Sequence, residues 1–180
     1  MKKLSIFTLM ISLTMFAAGC TITASTIDTP KYIGKSLSLG VVGEAPKIRE
    51  EHVSFTRISF EELENYTELS SNYDAVIIMK DHLEEAAEGK YAKVYKNADI
   101  PFFFMESTKS YMPFVLEEVS YDHPSLKNYN SDMYATGYLH LEQGDRFWGY
   151  GVPKVNEPNV KGAYSWMFST IESIGNGIYQ

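Results

Sequence analysis

The chain has 180 residues and a net charge of −7, from 23 Asp+Glu against 16 Lys+Arg. An acidic surface repels phosphate backbones and no basic stripe offsets it, so nucleic acid is not expected as a partner. One cysteine rules out a disulfide framework within the chain; the fold must hold by its core, for which the length suffices.

Met1, Lys2 and Lys3 make a positive start, residues 4–18 are uncharged and apolar, and Ala17, Ala18 and Gly19 are small residues ahead of Cys20. This order predicts a secretory signal over residues 1–19. The apolar run falls short of the roughly 20 residues that span a bilayer, which disfavours the alternative of an uncleaved membrane anchor. Ala17-Ala18-Gly19-Cys20 resembles the lipobox of bacterial lipoproteins, with Ala17 where leucine is most common. The resemblance covers residues 1–20 alone. It implies cleavage before Cys20, acylation of its sulfur by palmitate-like chains, and attachment to the extracytoplasmic face of a cell membrane. Two acyl chains make such attachment stable. Loss of Lys2 and Lys3 takes the mature chain from −7 to −9, so lipid rather than charge must provide the anchor.

Residues 20–35 are mostly small and polar and include Pro30, as expected of a lipidated tether, and residues 36–180 read as a single domain. Leu37, Leu39, Val41 and Val42 predict a buried strand stopped at Gly43, and the alternation over residues 52–58 a second. Ser59 with Glu62 forms a capping box opening a short helix to about Asn65. Ser70, Ser71 and Asn72 read as a turn. Residues 75–79 are continuously apolar, as a strand covered on both faces would be. Asp81 with Glu84 starts a helix whose apolar positions Leu83, Ala87, Tyr91, Val94 and Ala98 recur at helical spacing, and residues 102–105 form the next strand, completing a βαβ unit. A short helix is allowed over residues 112–119 with Pro113 in its first turn, followed by a loop over 121–132. Residues 133–141 and 147–152 flank Gln143-Gly144-Asp145 as a hairpin. Val160, Ala163, Met167, Ile171 and Ile174 predict a final amphipathic helix, with Asn159 as its cap.

These elements specify an α/β fold: a three-layer domain with a mostly parallel central sheet, extended by a C-terminal antiparallel hairpin and closed by a C-terminal helix. The order resembles a reduced flavodoxin-like or Rossmann-like domain. It departs from that pattern between the first two strands, where residues 44–51 are too few for a full helix and leave no phosphate cradle.

No phosphate loop, nucleophile elbow or zinc-binding helix motif occurs, the four histidines lack ligand spacing, and no cofactor or metal is expected. In parallel sheets ligands bind beyond the carboxyl ends of the strands. That rule gathers Glu44, Asp81, His82, Glu106 and Ser107 at one edge as catalytic candidates, where carboxylates could bind a hard cation or act as a general base. The competing reading makes Asp81 a helix cap and the glutamates solvated loop residues. Tyr138, Trp148 and Tyr150 on the hairpin are binding candidates for a protein, peptide or carbohydrate, against a competing role in packing. The resulting expectation is a lipid-anchored binding or accessory protein of the bacterial envelope, favoured over a catalyst, with an unknown envelope protein, peptide or carbohydrate as partner. The alternative is an envelope enzyme, such as a metal-assisted hydrolase using the strand-end carboxylates.

Overall fold

Alternation along the strands divides the core into two. In the computed structural model, which describes residues 28–128 and 132–178, β1 is Leu37–Val42, β2 Val53–Arg57, β3 Ala75–Ile78 and β4 Phe102–Met105. Val76, Ile78, Phe102 and Phe104 point to one side of the sheet, and Ala75, Ile77, Phe103 and Met105 to the other. Successive side chains on a strand leave opposite faces, so an unbroken apolar run needs a cover on both.

The helices supply one cover. They are α1 (Phe60–Glu64), α2 (Tyr66–Asn72), α3 (Leu83–Ala86), α4 (Gly89–Asn97) and α5 (Met112–Val115), and they bury Leu63, Leu69, Leu83, Tyr95 and Phe114 against Phe102 and Phe104. The other cover is α6 (Glu157–Gly175), with Ala163, Met167, Phe168 and Ile171 in the second cluster. The three-layer α/β architecture follows. The hairpin of β5 (Met133–Leu139) and β6 (Arg146–Gly151) extends the sheet, whose order is β2-β1-β3-β4-β5-β6. The first four strands are parallel and the hairpin is antiparallel.

Several local expectations change. The helix after β3 is broken into a 3-10 turn over Lys80–His82, then α3 and α4. Gly89 opens α4 because a Cβ there would collide with the Glu117 carbonyl oxygen. Asp81 lies within the 3-10 turn and makes no side-chain cap bond. Ser70 to Asn72 belong to α2 rather than to a turn, held by buried Leu69. The cap of α6 is Asn156, whose side chain accepts the Asn159 N–H at 3.0 Å; Asn159 sits inside the first turn and donates to the Lys154 carbonyl. The capping box of α1 forms with both of its bonds.

The β1–β2 connection carries no helix, and an N-terminal strap helps fill the space. Within the stretch expected as tether, Tyr32 is buried beside Phe168 and His52. The strap is tied down by Glu50, a buried carboxylate in the β1–β2 connection. Its Oε1 accepts from the Tyr32 N–H at 3.2 Å and from the Ser165 hydroxyl, and its Oε2 accepts from the Arg49 N–H. Arg49 lies 3.5 Å from Glu50 and also donates to the Thr29 carbonyl. Among the described residues no helix is long and apolar enough to cross a membrane.

Buried phenols give the fold an alkaline limit. Burial, reinforced by the Glu172 carboxylate, pushes Tyr32 up to about 12. Burial raises Tyr95 and Tyr164 well above the ordinary phenol range as well. A folded pKa above the unfolded value favours the native state while the group stays protonated. That contribution is complete below about pH 10 and is lost as pH rises through the folded values. Phenolate absorbance and far-ultraviolet circular dichroism should therefore change together above about pH 11 for these tyrosines. Complete ionisation near pH 10 with the fold intact would contradict their burial.

Candidate functional site

The sheet changes direction between β1 and β3. The chain leaves β1 for β2 on one side, then crosses back to place β3 on the other. The connections diverge there, which leaves an open crevice at the carboxyl ends of the strands. Gly43, which follows β1, has φ +115°, and a Cβ on it would lie 2.9 Å from Met79 Cβ and 3.0 Å from His82. Its missing side chain therefore lets the exits of β1 and β3 approach closely.

Glu44, Asp81, His82 and Glu106 line one depression of about 440 Å³ with Gly43, Met79 and two cations, Arg57 and Lys80. A second hollow, toward α1, shares Gly43, Arg57 and His82 and adds Ser59 and Glu62. A third, toward β5, shares Lys80 and Glu106 and adds Ser107 and Tyr134. The three hollows share lining residues along the carboxyl edge and together make up the crevice. A separate hollow at the amino edge, beside Asp74 and Asp99, lies away from these groups.

The crevice holds charges of both signs. Lys80 Nζ lies 3.5 Å from Glu106 Oε2, and both are solvent-accessible. Such a pair contributes about 0–1 kcal/mol, so a ligand can displace it at little cost. Glu106 has φ +52°, and its N–H bonds to the Tyr134 carbonyl. A non-glycine residue held there stores about 1–3 kcal/mol, a feature that clusters at ligand sites. His82 stands edge-on to Phe60, 6.1 Å away.

Among the described residues, no hydrogen bond or ion pair joins His82 to a carboxylate, and no group of three His, Cys, Asp or Glu is placed to hold a metal ion. Ser107 borders the crevice, but it is buried and its hydroxyl donates to the Lys109 carbonyl at 2.8 Å. The hairpin aromatics do not gather into an exposed face. Tyr138 is buried and stacked on Tyr111, Tyr150 is buried between Phe103 and Trp166, and Trp148 is packed partly into the second core cluster. Cys20 lies outside the described residues.

Arg57 and Lys80 extend the set of site residues. Arg57 ends β2, so the strand-end rule reaches it once β2 is placed beside β1. Compared with known proteins, the chain matches no protein-family model, no curated protein and no solved structure.

Proposed function

We propose that this chain is a lipid-anchored binding protein on the extracytoplasmic face of a bacterial membrane, and that its ligand enters the crevice between β1 and β3. The observation that carries the binding reading is the meeting of Arg57 and Lys80 with Glu44, Asp81 and Glu106 around one open depression. Such a lining suits a small ligand bearing both a carboxylate and an ammonium, an amino acid or short peptide, because each ligand charge finds an opposite partner. The anchor reading rests on the signal and lipobox residues that end at Cys20.

Thermal unfolding in the presence of amino acids, dipeptides and neutral sugars tests the binding reading. A ligand at 100 times its dissociation constant stabilises the fold by about 2.7 kcal/mol. In a domain of this size that raises Tm by roughly 5–10 °C. The shift should occur with a zwitterion and vanish in an Arg57→Ser, Lys80→Ser double variant. No shift with any probe, or an equal shift in the variant, would overturn the assignment.

The second reading, metal-assisted hydrolysis, draws on the same three carboxylates. Lys80 beside Glu106 opposes a cation there. A Tm increase with Ca²⁺, Mg²⁺ or Mn²⁺ that is lost in Glu44→Gln, Asp81→Asn would favour it over ligand binding.

A further inference from the structure

The α6 layer differs from the opposite face in charge and in exposed apolar surface. Residues 59–128, which contain α1 to α5, hold 14 Asp/Glu against 6 Lys/Arg. Residues 28–58 and 152–178, which contain the strap and α6, hold 6 Asp/Glu against 7 Lys/Arg. Nearly all of the acidity thus lies away from α6. On the α6 side, Ile33 of the strap is 88% exposed and Trp166 of α6 is 51% exposed. The two flank a groove of about 380 Å³ between strap and helix, with Lys31 and Glu172 also in its lining.

The strap begins where the anchor would end. If Cys20 carries lipid, as the proposed function holds, only residues 21–28 separate it from Thr29. A chain of that length reaches about 30 Å when fully extended. Glu50, Arg49 and Ser165 clamp the strap to α6, so this short reach applies to the whole face. A tether this short holds the face at an effective concentration in the millimolar range against the bilayer, where a weak contact suffices.

We propose that the face formed by residues 29–34 and the Trp166 side of α6 rests on the lipid headgroup layer, with Ile33 and Trp166 entering it. The near-neutral layer then meets the anionic surface and the acidic helical layer faces away from it. Indole rings favour the headgroup level because they are apolar with one polar N–H. The crevice at the carboxyl edge lies at the side of this arrangement and stays open to ligand.

The test uses the full lipidated chain in vesicles of phosphatidylcholine and phosphatidylglycerol, with and without phospholipids brominated in their acyl chains. The Trp148→Phe variant leaves Trp166 as the only tryptophan. Its emission should fall at least about two-fold with brominated lipid and recover in part when Ile33→Ser is added. Trp166→Phe, at an exposed position, should remove the quenched component from the wild-type signal. Unaltered Trp166 emission in a chain that remains lipidated and vesicle-bound overturns the docking and leaves the anchor standing. A chain whose Cys20 carries no lipid overturns both.

Discussion

Replacing Glu50 with alanine should lower the unfolding free energy by about 3 kcal/mol, the largest stability loss expected here from a single polar side chain. The carboxylate accepts from the Tyr32 N–H, the Arg49 N–H and the Ser165 hydroxyl, and it faces the Arg49 guanidinium. Ser165 keeps the Lys161 carbonyl as a partner and Arg49 keeps the Thr29 carbonyl, so those groups are not orphaned. Tyr32 is buried and its N–H would lose its acceptor. An unsatisfied buried donor costs about 1–3 kcal/mol, and the lost charge-assisted bonds add to it. Tm should fall by roughly 10 °C. Trypsin should then cut at Lys31 and Lys35 before the rest of the domain. Glu50→Gln, which retains an acceptor, should cost about 1 kcal/mol. An alanine variant within about 0.5 kcal/mol of wild type would show that the clamp does not hold the strap.

How much of this was legible in the sequence depends on the range of the interactions concerned. The strands β3 and β4 are visible because four consecutive apolar residues fit only a sheet covered twice. The α1 start is visible because Ser59 and Glu62 bond each other's backbone across three residues. The α6 face is visible because Ala163, Met167 and Ile171 recur with the helical period. Its cap was misplaced by one turn. Pro158 marks the first turn and points back to Asn156, a stronger signal than the distance to Val160. α2 was hidden because Ser70, Ser71 and Asn72 favour turns, and one buried leucine makes no period. The break before α4 was hidden because Glu117, the residue that crowds Gly89, comes from a later part of the chain.

The candidate site divides in the same way. The strand-end rule brings Glu44, Asp81, His82 and Glu106 to one crevice without any motif. It omits Arg57 until the sheet order puts β2 next to β1. Tyr138 and Tyr150 looked available because hairpin alternation turns every second residue outward. In this hairpin one face meets α6 and the other meets Tyr111, so both tyrosines are enclosed. The Glu50 clamp has no sequence signal, since Ser165 stands 115 residues away. The missing helix between β1 and β2 explains its place: α6 and the strap cover the sheet there, and a buried carboxylate joins them to the connection.

The second large effect concerns Cys20. Without its thiol no lipid can be attached, so Cys20→Ser, in a chain whose residues 1–19 are replaced by a signal cleaved independently of the cysteine, should move the chain from the membrane fraction to the aqueous one when cells are fractionated. Among the described residues no helix can span a bilayer, and the net charge opposes adhesion to anionic lipid. Contacts through Ile33 and Trp166 would be too weak alone, because their strength depends on the short tether. The fold should be unaffected, since Cys20 precedes the packed strap. The most direct test is the mass of the N-terminal peptide of membrane-bound protein expressed in a bacterial host. The account predicts a chain that begins at Cys20 and carries acyl chains on that residue. A chain that begins at Met1, or one with an unmodified Cys20 thiol, would contradict it.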